Sequence, residues 1–171
     1  MPVTSPIASN IQSLSDSDGL VREHARRALV ALGSASVEPL ISALKDSDDQ
    51  VRWEAAKALS EIGDPVAAPA LVAALEDELF GVRWLAAEGL AAMGRDGLRA
   101  LLPALMHHAD SAVLRHGAHH VLRSLSNRKW RSLVMPIVTA LESADASLAV
   151  PNAAHRALAE LEESRNQELR T

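Results

Sequence analysis

Small and apolar residues recur along the chain at spacings that place them on one side of a helix. Counting from Val51, they stand at 0, +4, +7, +8 and +11, with glycine at +12: Val51, Ala55, Ala58, Leu59, Ile62 and Gly63. The set returns from Val82 and from Val21, in the latter as Val21, Ala25, Ala28, Leu29, Leu32 and Gly33. Weaker copies start at Leu114, where Ser126 replaces the glycine, and at Val150, where Pro151 replaces the arginine that follows the first position elsewhere. The starts lie 30, 31, 32 and 36 residues apart. Between them runs a second apolar helix, "VEPLISAL" from Val37, "AAPALVAAL" from Ala67, "RALLPAL" from Arg99 and "MPIVTAL" from Met135, with "IASNIQSL" from Ile7 as a first member. At about 100° per residue the five apolar positions gather on one face. Each unit is therefore a pair of helices.

The residues between helices agree with this reading. Asp64-Pro65 offers a cap followed by a proline at a first helical position. Gly33, Gly63 and Gly94 are placed to close helices in the left-handed conformation. Asp18, Asp48, Ser111 and Ser147 precede second helices at a capping distance, and Leu79 breaks the rule. A helix pair this short cannot hide its own apolar face, so pairs must stack side by side into an α-solenoid. The expected organisation is one domain over 1–171, with units at about 7–33, 34–63, 64–94, 95–126 and 127–162 and a fraying polar tail at 163–171. The turn at 126–131, "SNRKWR", predicts an altered stacking angle or a longer helix, with Trp130 in the core or at a cap.

The repeated residues resemble the short HEAT-like repeats of the phycobilisome-lyase type over roughly residues 7–161. That resemblance implies an all-α, right-handed α-solenoid of five HEAT-like helix pairs. It also implies a ladder between units, with an aspartate before each second helix and an arginine in it: Asp16, Asp46 and Asp77 with Arg22, Arg52 and Arg83. Asp110 with Arg115 is offset by one residue, and Asp145 has no arginine.

Positions +2, +6 and +9 fall opposite the apolar face. Trp53 and Trp84 both stand at +2, and Lys57 and Glu88 at +6, one turn further on. His116 and His120 take the same two places in the fourth copy. In the HEAT-like resemblance the second helices line the concave surface. Trp53, Lys57, Phe80, Trp84, Glu88, His116 and His120 are therefore the expected partner-binding residues, with Leu20, Gln50, Phe80 and Val113 along the border. A large aromatic away from the core points to an interface.

Composition sharpens this. The chain is 48% hydrophobic but only 2% aromatic, with no cysteine and a formal charge of −5. No secretory signal or membrane-length apolar run is seen, so a cytoplasmic protein without membrane contact is expected. The acidic balance argues against nucleic acid. Residues 95–131 run against it, with seven Lys/Arg, two Asp/Glu and five of the seven histidines, which suggests an acidic patch on the partner. His116 and His120 are spaced to chelate but lack a third ligand, so neither a metal nor a cofactor is expected. No nucleophile elbow, P-loop or dinucleotide fingerprint occurs. The His-Glu pairs that the HEAT-like deoxyhypusine hydroxylases use for iron are missing at +2 and +3. The expected function is a non-catalytic protein-binding scaffold, monomeric or weakly oligomeric. The alternative that the resemblance implies is a phycobilin lyase-like protein, or one that binds a bilin or a bilin-carrying partner.

Overall fold

Asp18 and Asp48 open second helices by taking up N–H groups that a first turn leaves over. The Asp18 carboxylate accepts from the Leu20 N–H at 2.8 Å, and that of Asp48 from Gln50 at 2.8 Å. Ser111 Oγ does the same for Leu114 at 3.2 Å. Leu79, which has no group to offer, is itself bound: its N–H donates to Asp77 Oδ1 at 2.8 Å. Asp16 and Asp46 likewise accept from the N–H groups of Asp18 and Asp48, at 2.8 and 2.9 Å. The aspartates of the expected ladder thus serve first to shape their own turns.

The computed structural model describes residues 5–127 and 129–168. Arg128 of the irregular junction and the tail residues 169–171 lie outside them, as do residues 1–4. The α-helices are α1 (Pro6–Ser13), α2 (Gly19–Leu32), α3 (Val37–Ala43), α4 (Asp49–Ile62), α5 (Ala68–Ala74), α6 (Phe80–Ala92), α7 (Arg95–His107), α8 (Ala112–Ser124), α9 (Arg131–Leu141) and α10 (Ala146–Glu168). Short 3-10 turns lead into α3 and α5. No strand occurs among the described residues. Among the described residues the fold is all-α, built of successive helix pairs. No helix among the described residues is long and apolar enough to cross a membrane.

By its internal packing the chain divides into two compact units, residues 1–89 and 90–171. In the first, α1 packs on α2 and α3 on α4, while α1 lies against α3 and α2 against α4. Pairs therefore stack like on like. In the second, α8 packs on α7 and α9, and the long α10 packs on α9 and α7. These four helices each border two of the others, as in a bundle.

The apolar positions are the core. Val51, Ala55, Ala58 and Leu59 are buried, as are Val82, Ala86 and Leu90, and Leu114, Ala118, Val121, Leu122 and Leu125. Ala28, Ile62, Met93 and Leu158 are half-buried, and two positions are exposed. Val21 and Leu32, in the first copy, are 38% and 43% exposed. Three local expectations are also corrected. Gly63 is left-handed (φ 67°, ψ 20°), but Gly33 and Gly94 pair φ 58° with ψ −133° and −111°, a sharper change of direction than a left-handed cap. Ser147 is not a cap but the second residue of α10. Past Leu161 the chain stays helical, since α10 continues to Glu168. Trp130 stands at the backbone cap of α9, half-buried, where its carbonyl accepts from Leu133 and Val134. The turn before it is held by Asn127 Oδ1, which accepts from the N–H of Lys129 at 3.1 Å.

Candidate partner-binding site

Trp53 and Trp84 hold the same repeat position, yet their surroundings differ. Trp53 is half-buried. Its indole lies over the backbone of Gly81 in the first turn of α6, so close that a Cβ there would come within 2.9 Å of Trp53 Cδ1 and 3.0 Å of Nε1. Glycine is thus the residue that lets the Cδ1–Nε1 edge of the indole approach the neighbouring helix. Sequence reasoning passed over Gly81, although a glycine inside a helix that otherwise favours alanine and leucine is the signal of a close approach.

Trp84 is 47% exposed and Phe80 59%. One turn apart on α6, their rings face each other with centroids 6.1 Å apart and planes tilted by 40°. The Arg83 guanidinium lies 5.6 Å from the centroid of the Phe80 ring. It is fixed there by donating to the carbonyls of Asp77 at 2.7 Å and Glu78 at 2.8 Å. Gly81, between the two rings in sequence, carries Trp53 on its own side of the helix. Phe80 and Trp84 thus form an aromatic pair at the surface, with Trp53 wedged beside their helix. Glu88, exposed, follows Trp84 by one turn, and Lys57, half-buried, follows Trp53 by one turn. The Lys57 ammonium reaches Glu61 Oε1 at 3.4 Å.

Between α2 and α4 lies a polar junction that the apolar pattern did not reveal. Glu54 is only 3% exposed. Arg26 Nη1 of α2 donates to its Oε2 at 2.7 Å, Gln50 Nε2 donates to Oε1 at 3.3 Å, and Arg22 Nε stands 3.4 Å from Oε1. The expected ladder is present in one place: Arg52 Nε donates to Asp77 Oδ2 at 2.8 Å, which raises the Arg52 pKa. Arg22 turns to Glu54 instead. The other ends of Arg22, Arg52 and Arg83 donate to carbonyls of their own preceding loops, Arg22 Nη1 to Asp16 at 2.7 Å and Arg52 Nη1 to Asp46 at 2.9 Å.

His116 and His120 lie in the second unit, on α8, exposed and half-buried respectively. His119, also on α8 and not singled out from the sequence, has a carboxylate partner: its Nε2 is 2.9 Å from Glu142 Oε1 on α9. That contact, with Arg123 nearby, holds the Glu142 pKa below its usual value. Among the described residues no group of three or more His, Asp or Glu is placed to hold a metal ion.

The HEAT-repeat sequence family matches residues 7–91, which span α1 to α6. The chain is a HEAT-like repeat protein. HEAT repeats generally serve as protein-interaction scaffolds, and the family is typically non-catalytic. Nothing among curated proteins matches this HEAT-like chain. Among solved structures, the crystal structure of an engineered protein is 21% identical to it, over 92% of this chain and 79% of that one, with a TM-score of 0.47.

Proposed function

We propose that this HEAT-like protein is a non-catalytic scaffold that holds a protein partner on the face carrying Phe80 and Trp84. The observation that carries the reading is the exposure of two adjoining aromatic rings in a chain that has only four aromatics. An aromatic centre with charges around it suits a binding hot spot, since its apolar area is desolvated on contact while the rim stays wet. Phe80 and Trp84 make the contact; Trp53 supports their helix from the side; Lys57 and Glu88 lie on the rim. In the second unit, α8 carries His116 and His120 with Arg115 and Arg123, a separate candidate surface for an acidic segment. The test is capture of the native partner by the wild-type chain and by Phe80→Ala and Trp84→Ala. Affinity is expected to fall by about 2 kcal/mol or more with helicity unchanged. Unchanged capture by both variants would remove the reading. Tetrapyrrole absorbance coeluting with the chain would favour the bilin alternative instead.

A further inference from the structure

We propose that the Phe80–Trp84 pair receives an arginine side chain from a basic segment of the partner. The inference rests on the scaffold reading above and gives its partner a chemistry. Residues 1–89 carry fourteen Asp/Glu against seven Lys/Arg, so the unit that presents the aromatic pair is strongly acidic. Glu76 and Glu78, just before Phe80, and Glu88, one turn beyond Trp84, are exposed. Asp77 lies between the first two, half-buried and bound to Arg52. Arg83 and Lys57 also lie nearby, Arg83 donating to two loop carbonyls and Lys57 paired with Glu61, and the balance of the unit remains acidic.

Aromatic ring faces are electrostatically negative and attract cations, tryptophan most strongly. A guanidinium already lies 5.6 Å from the centroid of the Phe80 ring in the form of Arg83, so the site holds a cation beside its own rings. A second guanidinium can stack on the exposed indole of Trp84 while acidic groups neutralise its charge. Arginine fits better than lysine, because its planar head is more weakly hydrated and lies flat on a ring. A negatively charged unit also draws a basic segment in from a distance, an effect that salt weakens.

The test uses the full chain and a fluorescently labelled nona-arginine peptide, followed by anisotropy, with a length-matched citrulline peptide as a neutral isostere. Nona-arginine is expected to bind, and citrulline to bind at least about tenfold more weakly. Because attraction to any acidic surface would also favour arginine, the deciding variants leave charge untouched. Trp84→Ala and Phe80→Ala, shown by circular dichroism to stay helical, are expected to weaken nona-arginine binding by about fivefold or more, and Trp84→Phe by less. Equal affinity in wild type, Trp84→Ala and Phe80→Ala would overturn the inference, as would equal binding of the citrulline peptide. If the native partner is lost on Trp84→Ala while nona-arginine does not bind the wild type, the arginine inference falls and the scaffold reading stands.

Discussion

Two neighbouring junctions in the first unit join the same repeat positions with different chemistry. Between α2 and α4 the contact is ionic: Arg26 and Arg22 converge on the buried Glu54. One repeat later, the positions of Arg26 and Glu54 are filled by Ala56 and Leu85, both buried. There α4 and α6 are joined by the Trp53 indole on Gly81 and by the Arg52–Asp77 pair. A repeated backbone therefore does not dictate what seals it. A buried ion pair and an apolar contact can occupy equivalent places, but they fail differently. Removing one member of the first leaves a charge buried without its counterpart, whereas the second fails by steric misfit or lost packing.

The largest expected effect breaks the ionic junction. Glu54→Ala leaves the half-buried Arg26 with Glu61 at 3.9 Å as its remaining counter-charge and should cost about 3 kcal/mol in a denaturant titration. Replacing both partners, Arg26→Leu with Glu54→Leu, should cost clearly less than Glu54→Ala alone, since Arg22 keeps its bonds to the Asp16 and Ser17 carbonyls. A double variant as unstable as the single one would mean that the pair is not what holds α2 to α4.

The second prediction concerns Gly81. Within a helix, glycine to alanine ordinarily stabilises by up to about 1 kcal/mol. Here the added Cβ meets the Trp53 ring at 2.9 Å, so Gly81→Ala should instead destabilise by about 1–3 kcal/mol. In a Trp53→Ala background the sign should reverse. Thermal unfolding of the four members of this cycle measures it, and additive effects would show that the two residues do not touch.

The smallest effect is electrostatic and outside both junctions. Ser34 Oγ donates to Asp64 Oδ2 at 2.7 Å, and this bond, helped by the Val66 N–H, lowers the Asp64 pKa. A carboxylate with a depressed folded-state pKa adds stability above its unfolded pKa and loses it as pH falls through the folded one. Ser34→Ala should move the Asp64 titration, followed by NMR, upward toward the ordinary aspartate value and so bring that acid loss to higher pH. An unmoved titration would assign the shift to the Val66 N–H alone.

Much of this was legible in the chain itself. The helix pairs and the buried faces followed from Val51, Ala55 and Leu59 and their copies, because burial on one side of a helix imposes a period that sequence preserves. The caps at Asp18, Asp48 and Ser111 followed because their side chains act within two or three residues. What stayed hidden depends on neighbours in space. Glu54 reads as an ordinary polar helix residue until Arg26, 28 residues earlier, is brought against it. Val21 and Leu32 carry the core pattern but are exposed, because periodicity reports the face and not whether anything covers it. Trp53 and Trp84 looked equivalent because their positions are; the approach of Trp53 to the glycine at 81 appears only in space.

That separation is the central claim: one repeat position serves packing in α4 and presents a ring at the surface in α6. The most direct measurement is the folding stability of Trp53→Ala beside that of Trp84→Ala under identical denaturant conditions. Loss of the half-buried indole over Gly81 should cost about 2 kcal/mol or more, and loss of the exposed one less than about 1 kcal/mol. Equal losses, or a larger loss at Trp84, would contradict the account.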